Sequence, residues 1–120
     1  MFKMILKHTL VISLSILALK TYAGTQASRE SLAKECQDLS SAVRVLVNSQ
    51  KKVACADQLD LAADQVSFAG SLILENEKTS AKILLERSVY SLQYAELDSC
   101  SRYIQISHAK FEAQRIKNSF

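Results

Sequence analysis

Cys36, Cys55 and Cys100 are the three cysteines of this 120-residue chain, and the spacing of the last two predicts a disulfide bond. A polar break at residues 75–80 predicts the turn of an antiparallel helical hairpin, with its midpoint near Glu77. Cys55 lies 22 residues before Glu77, and Cys100 lies 23 residues after it. Since both arms rise by about 1.5 Å per residue, the two thiols come to the same level. We therefore expect a Cys55–Cys100 disulfide.

Cys36 is the cysteine that this pairing leaves over. By helical rise it lies roughly 20 Å from the level of the other two, and it belongs to an apolar stripe of its own helix. A buried free thiol that packs as a small hydrophobic side chain is the favoured expectation. An intermolecular disulfide, as in a covalent homodimer or a mixed disulfide with a partner, is the second alternative. A different intramolecular pairing is the third.

His108 and Glu112 are four residues apart, so one helix face would carry both side chains and offer two ligands to a metal. Two ligands do not complete a site, and we expect a solvated His108 and no metal centre. Asp57, Asp60 and Asp64 form an acidic stripe that lacks the glycine turn and the bidentate glutamate of a calcium loop. We expect these three carboxylates to form a solvated face.

The best nucleophile and base that the chain offers are Cys36 and His108, and nothing in their spacing brings them together. Gly70 stands alone in a helical pattern, so no phosphate-binding glycine loop is present in the sequence. Both methionines precede residue 5, which excludes a Met/His haem site. We predict a non-catalytic protein without catalytic residues or cofactors.

Residues 1–23 are typical of a secretory signal peptide. Lys3 and Lys7 precede an apolar segment of 11 residues, Thr9 to Leu19, and small residues follow near Ala23. Lys20 ends the apolar segment before the roughly 20 residues that a membrane span requires. We expect cleavage after Ala23, with Ala27 as the alternative position, and no membrane span afterwards. The expected mature domain is residues 24–120, in the periplasm or outside the cell.

The net positive charge of the chain lies in the predicted signal peptide. The chain has 15 basic and 12 acidic residues, but Lys3, Lys7 and Lys20 belong to the signal segment, which leaves 12 of each in the mature part. A formally neutral domain gives no reason to expect nucleic acid as a partner.

The mature part contains no proline and only two glycines, which favours long helices over a sheet with many turns. Residues 28–50 and 54–74 each carry an apolar stripe at steps of three or four, which indicates one amphipathic helix apiece. The first stripe is Leu32, Cys36, Leu39, Val43, Leu46, and the second is Cys55, Leu59, Ala62, Val66, Ala69, Ile73. The fold class predicted is all-α, a small up-and-down bundle of three to four helices.

A third helix from about Ser80 carries two apolar stripes, which predicts a central helix covered on both sides. One stripe is Ile83, Tyr90, Tyr94, Leu97, Ile104, and the other is Leu85, Val89, Leu92, Cys100, Tyr103. The aromatic side chains at helical spacing are likewise expected in the core: Phe68, Tyr90, Tyr94, Tyr103, Phe111, Phe120. Capping residue types at 98–101 favour a break and a fourth helix over one long third helix, whose uncovered end would imply a partner.

The function expected first is binding to another protein, of unknown identity, by an exported helical domain. A second hypothesis rests on a resemblance. The spacing of Cys55 and Cys100 is similar to that in the acid-stress chaperones of the bacterial periplasm, which are small and helical. That resemblance implies release of apolar surface on acidification, although the tryptophan and proline landmarks of the family are missing here. The third hypothesis is a minor metal-binding or thiol-reactive protein.

Overall fold

The computed structural model describes residues 28–120, and these residues form four α-helices and no strand. Helix α1 occupies residues 28–47, α2 Val53–Leu74, α3 Lys78–Leu97 and α4 Tyr103–Lys117. The predicted all-α bundle is therefore confirmed, and it has four helices, the larger of the two predicted numbers. The predicted signal peptide, 1–23, lies outside the described residues. Among the helices of residues 28–120, none combines the length and the apolar character needed to cross a membrane.

The predicted stripes of α1 and α2 form the core. Every member of both stripes is buried, because each recurs at the three- and four-residue steps that place side chains on one helix face. Gly70 allows α1 and α2 to approach closely. A Cβ atom at this position would lie 3.0 Å from Cys36 Cβ and 3.1 Å from the Ala33 carbonyl oxygen.

The four helices form a closed antiparallel ring. Ser40 Oγ donates to the Ala63 carbonyl at 2.8 Å, which joins α1 to α2. Ser91 Oγ donates to Gln65 Oε1 at 3.1 Å, which joins α3 to α2. Lys110 of α4 pairs with α3, as described below, and Arg115 of α4 pairs with α1 at 3.2 Å from Glu35. The outer side of the α1–α4 pair is consequently opposite the outer side of the α2–α3 pair.

Residues 98–102 separate α3 from α4, as the favoured alternative predicted. The backbone makes the break, since Ser99 and Arg102 adopt left-handed φ angles of 57° and 64°. No side chain caps the first turn of α4, and Arg102 occupies the cap position. The residue types at 98–101 therefore located the break correctly, although the helix-capping bond that they predicted is not formed.

The prediction that α3 is covered on both sides is wrong. Leu85, Val89 and Leu92 are buried against the other helices. The opposite stripe faces solvent, with 62% of Tyr90 and 78% of Leu97 exposed. In a ring of four helices each helix has one outer face, and this stripe occupies the outer face of α3. Ile83 and Tyr94 on the same face are exposed too, whereas Ile104, the last member of the predicted stripe, is exposed on α4.

The expectation that the aromatic side chains belong to the core is also wrong for most of them. Five are exposed: Phe68, Tyr90, Tyr94, Tyr103, Phe111. Phe120 is half-buried and packs against the core, with Lys82 Nζ 5.3 Å from the centre of its ring.

Candidate binding surfaces

Cys55 and Cys100 lie at disulfide distance. Their Sγ atoms are 2.04 Å apart and their Cα atoms 5.6 Å apart. Cys55 belongs to the first turn of α2, and Cys100 belongs to the α3–α4 turn. The pair therefore joins the two ends of the hairpin at one end of the bundle, which is the level that the sequence predicted.

Gln50, in the turn between α1 and α2, is joined to the α3–α4 turn by hydrogen bonds. Its Nε2 donates to the Ser101 carbonyl at 2.9 Å and to the Leu46 carbonyl at 3.0 Å. Its Oε1 accepts the Ser101 backbone N–H at 2.8 Å. Lys52 Nζ adds a bond to the Asp98 carbonyl at 3.0 Å. Sequence reasoning missed this role of Gln50, because a contact between residues 51 positions apart has no local signal.

Asp98 is close to the cysteine pair. One carboxylate oxygen and the two sulphur atoms lie within 4.8 Å of one another, which is a metal-ligand arrangement by distance. The two sulphurs lie at bonding distance from each other, and sulphurs joined in a disulfide are not available as thiolate ligands. The cysteine pair therefore accounts for this cluster without a metal ion.

Cys36 is a fully buried free cysteine on the core stripe of α1. Burial in apolar surroundings, helped by the neighbouring Glu35 charge, raises the pKa of its thiol to about 12. Very little thiolate exists at neutral pH, and the sulphur does not contact solvent. A homodimer through Cys36 stays a prediction, and it requires α1 to open before this sulphur can react.

His108 is exposed on α4, one turn before Glu112. Glu112 accepts bonds from Arg115, and Arg115 also reaches Glu35 of α1 at 3.2 Å. The Arg115 bond lowers the pKa of Glu112 despite partial burial. Glu112 is therefore engaged in an ion pair, and His108 is not joined by a second histidine anywhere in the described residues. Cys36 and His108, the best nucleophile and base, lie on different helices, and Cys36 is buried in the core while His108 faces solvent.

An apolar groove runs along the outer side of the bundle between α1 and α4, and His108 stands at its rim. Its volume is about 380 Å³. The residues from α1 and α4 that line it are Leu39, Ala42, Leu46, Ile104, Gln105, His108, Ala109, Glu112. Leu39 and Leu46 are nearly buried and lie at its floor, whereas 72% of Ile104 is exposed. We refer to this feature as the α1–α4 groove.

The groove is long rather than deep. Ile104 and Glu112 are eight residues apart, so it extends for about 12 Å along α4, which is more than two helical turns. Sequence reasoning missed it. Ile104 was expected on one continuous stripe with Tyr90 and Leu97, and only the break at 98–102 turns it toward α1.

The acidic stripe of α2 is an exposed face, and Arg44 of α1 pairs with part of it. Arg44 lies 3.1 Å from Asp60 and 2.5 Å from Asp64. All three side chains are about half exposed, so solvent screens these ion pairs and they contribute little to the stability of the fold. The stripe is therefore a solvent-exposed acidic face, two of whose carboxylates form ion pairs with Arg44.

Glu96 and Lys110 form a nearly buried ion pair between α3 and α4. Lys110 Nζ lies 2.6 Å from Glu96 Oε1, and Ser107 donates to Oε2 of the same carboxylate. Burial alone would raise the pKa of Glu96, but the bonds from Lys110 and Ser107 outweigh it and hold this pKa below the ordinary value. The pair is the most strongly desolvated charge contact among residues 28–120.

Comparisons of the chain with protein-family models, with curated proteins and with solved structures find no significant match.

Proposed function

We propose that this chain is an exported, non-catalytic protein that binds another protein through the α1–α4 groove. The observation that carries the proposal is the apolar floor of Leu39, Leu46 and Ala109 beside the exposed side chain of Ile104. The proposed compartment is the periplasm or the medium outside the cell, as the sequence of residues 1–23 indicates.

The shape of the groove favours a helical partner segment. A groove about 12 Å long between two antiparallel helices matches two turns of an amphipathic helix, whose apolar side chains recur at i, i+3 or i+4, and i+7. The rim residues Gln105 and His108 are polar hydrogen-bonding groups, and Glu112 is already paired with Arg115. The groove therefore offers apolar contact area edged by hydrogen-bonding groups, which is the usual composition of a protein interface.

The first experiment identifies the partner. A photoreactive amino acid replaces Ile104 in the exporting cell, and the cross-linked product is identified by mass spectrometry. The matched control carries the same amino acid at Leu74, which is also exposed but lies at the far end of α2. A protein captured at position 104 and not at position 74 is then purified for a binding measurement.

Calorimetry with that purified protein tests the proposal. Ile104→Asp is expected to raise the dissociation constant at least about tenfold, because burying an isoleucine side chain contributes roughly 1.5–3 kcal/mol. Leu74→Asp is expected to leave it unchanged. If position 104 captures nothing beyond the control, or if Ile104→Asp binds like the native protein, the groove is not the binding site.

A second candidate function is a small envelope chaperone that exposes apolar surface on acidification. The Glu96–Lys110 pair favours it, since protonation of Glu96 would leave Lys110 unpaired between α3 and α4. Binding of an apolar fluorescent dye should then increase steeply as the pH falls toward 3, and Glu96→Gln should bind more dye at neutral pH. Dye binding that stays level from pH 7 to pH 3 would eliminate this candidate.

A further inference from the structure

The outer face of α3 is an apolar surface that no other helix of residues 28–120 covers. Ile83, Tyr90 and Leu97 recur every seven residues and point away from the core, and Tyr94 lies beside them. Soluble monomers rarely leave such a continuous row of large apolar side chains in water. The row extends along most of α3, from its second turn to its last residue.

Helix α2 continues this surface. The Ser91–Gln65 bond sets the level of α3 against α2, and Leu61 and Phe68 lie one turn to either side of Gln65 on the outer face of α2. We call the six residues together the α2–α3 face: Leu61, Phe68, Ile83, Tyr90, Tyr94, Leu97. Each of them is about half to three-quarters exposed.

The exposed apolar area of this face reaches the lower limit for a stable dimer. With roughly 100 Å² of exposed apolar surface per side chain, the six residues offer about 600 Å² per copy, or about 1,200 Å² when two copies meet. Specific interfaces begin at about 1,200 Å² in total. A second copy of the same face would therefore supply enough area.

We propose that the α2–α3 face is the interface of a non-covalent homodimer, in which α3 packs antiparallel on α3 of a second copy about a two-fold axis at Tyr90. The face is self-complementary about this residue. Ile83 lies seven residues before Tyr90 and Leu97 seven residues after it, so each meets the other across the axis. Tyr90 meets its own counterpart.

The polar residues along α3 agree with this arrangement. Antiparallel packing about Tyr90 brings Arg87 level with residue 93 of the second copy, on the side of the helix that carries Tyr94. A guanidinium beside an aromatic ring is a favourable contact. Glu86 lies on the other side of the helix and comes level with residue 94 of the second copy, so Gln93 of that copy is one residue away and can donate a hydrogen bond to its carboxylate. Along α3, no pair of like charges comes level across this axis.

This interface is separate from both sites described above. Cys36 lies in the core between α1 and α2, so the dimer needs no intermolecular disulfide. The α1–α4 groove is on the opposite side of the bundle. A change at Tyr90 therefore leaves the groove intact, and failure of one proposal does not imply failure of the other.

Sedimentation velocity of the exported protein tests the proposal. Twice the mass of one chain is expected at tens of micromolar, and Tyr90→Asp should weaken the dimer at least about 100-fold because the change occurs twice on the axis. The control is Phe111→Asp, which alters an equally exposed aromatic residue of α4 and should leave the dimer intact. A native protein that remains monomeric at about 100 µM overturns the proposal.

Oxidative cross-linking tests the antiparallel register and does not depend on a destabilised variant. Tyr90→Cys should form a covalent dimer with itself, because the position lies on the axis. Ile83→Cys alone should not, since two copies of residue 83 would be about 21 Å apart, but an equal mixture of Ile83→Cys and Leu97→Cys should cross-link. Self-cross-linking by Ile83→Cys, or none by Tyr90→Cys, contradicts the proposed arrangement.

Discussion

Gln50 shows how one neutral side chain holds two distant segments of this chain together. It occupies the α1–α2 turn and satisfies both the N–H and the carbonyl of Ser101 in the α3–α4 turn. Backbone groups in such turns have no helical partners, and they cost free energy when they are shielded from water without a bond. Because both turns depend on this one amide, its removal affects more than a local loop.

We predict that Gln50→Ala lowers the free energy of unfolding by about 1–3 kcal/mol, the cost of leaving partly buried backbone groups unsatisfied. Lys51→Ala is the matched control, since Lys51 is the exposed neighbour in the same turn. Denaturant titration followed by circular dichroism measures both. Equal stability of the two variants would show that water replaces the amide without cost.

The contact of α1 with α2 depends on the missing side chain of Gly70. A Cβ atom there would approach Cys36 Cβ and the Ala33 carbonyl more closely than ordinary packing allows. The amide nitrogen of Gln37, at 2.8 Å, can move aside, but the backbone carbonyl moves only if α1 itself shifts. The two helices are therefore held at a distance that only glycine permits.

We predict that Gly70→Ala destabilises the bundle although alanine is the better helix former by roughly 1 kcal/mol. The displaced α1 should also expose Cys36, so its thiol should react faster with a maleimide than in the native protein. Ser71→Ala, at the next and exposed position of α2, is the control for helix propensity. A Gly70→Ala protein with raised melting temperature and unchanged Cys36 reactivity would contradict this packing.

The contact of α3 with α4 depends on charge. Glu96 has its pKa lowered in the folded state, so its pair with Lys110 stabilises the fold fully above the unfolded pKa, near 4.5, and loses this contribution as the pH falls through the folded value. Removal of one member of a largely buried pair costs on the order of 2 kcal/mol where some solvent reaches it. The α3–α4 contact should therefore weaken in acid.

We predict that the native protein loses stability more steeply between pH 5 and pH 3 than Glu96→Gln, which is destabilised already at pH 7. Thermal unfolding at half-unit pH intervals measures both slopes. Glu112→Gln is the control, because Glu112 also has a lowered pKa but lies at a more exposed ion pair. Parallel pH profiles for the native protein and Glu96→Gln would exclude this pair as the acid-sensitive contact.

The sequence predicts an element correctly where its apolar periodicity or cysteine spacing is compatible with only one arrangement in the fold. The stripes of α1 and α2 recur on one face only, and the cysteine pair follows from counting residues on either side of one turn. The two stripes of α3 are both apolar, and periodicity alone cannot tell which one meets α2 and α4. The groove and the Glu96–Lys110 pair depend on how α4 is placed after the break, and a left-handed Arg102 has no local sequence signal.

At the scale of the whole molecule, the two proposed surfaces are on opposite sides of the ring. A dimer formed through the α2–α3 face would present two α1–α4 grooves outward, one on each copy. Such a dimer can hold two partner helices at once, and a partner with two such helices would gain avidity without a new contact. At one end of the bundle, Gln50, Lys52 and Cys55 all contact the α3–α4 turn. These contacts hold the α1–α2 pair and the α3–α4 pair in a fixed position relative to each other.

The Cys55–Cys100 bond should be the largest single contribution to the stability of this bundle. The bond closes a loop of 45 residues, and the chain-entropy estimate for a loop of this size is about 3–4 kcal/mol. A small domain has only about 5–15 kcal/mol in total. The double variant Cys55→Ala, Cys100→Ala should therefore melt roughly 12–30 °C below the native protein. A reductant should lower the native melting temperature to a similar value and leave the double variant unchanged, whereas Cys36→Ala should remain reductant-sensitive. A native protein that melts at one temperature with and without reductant would show that the two sulphurs are not bonded in solution.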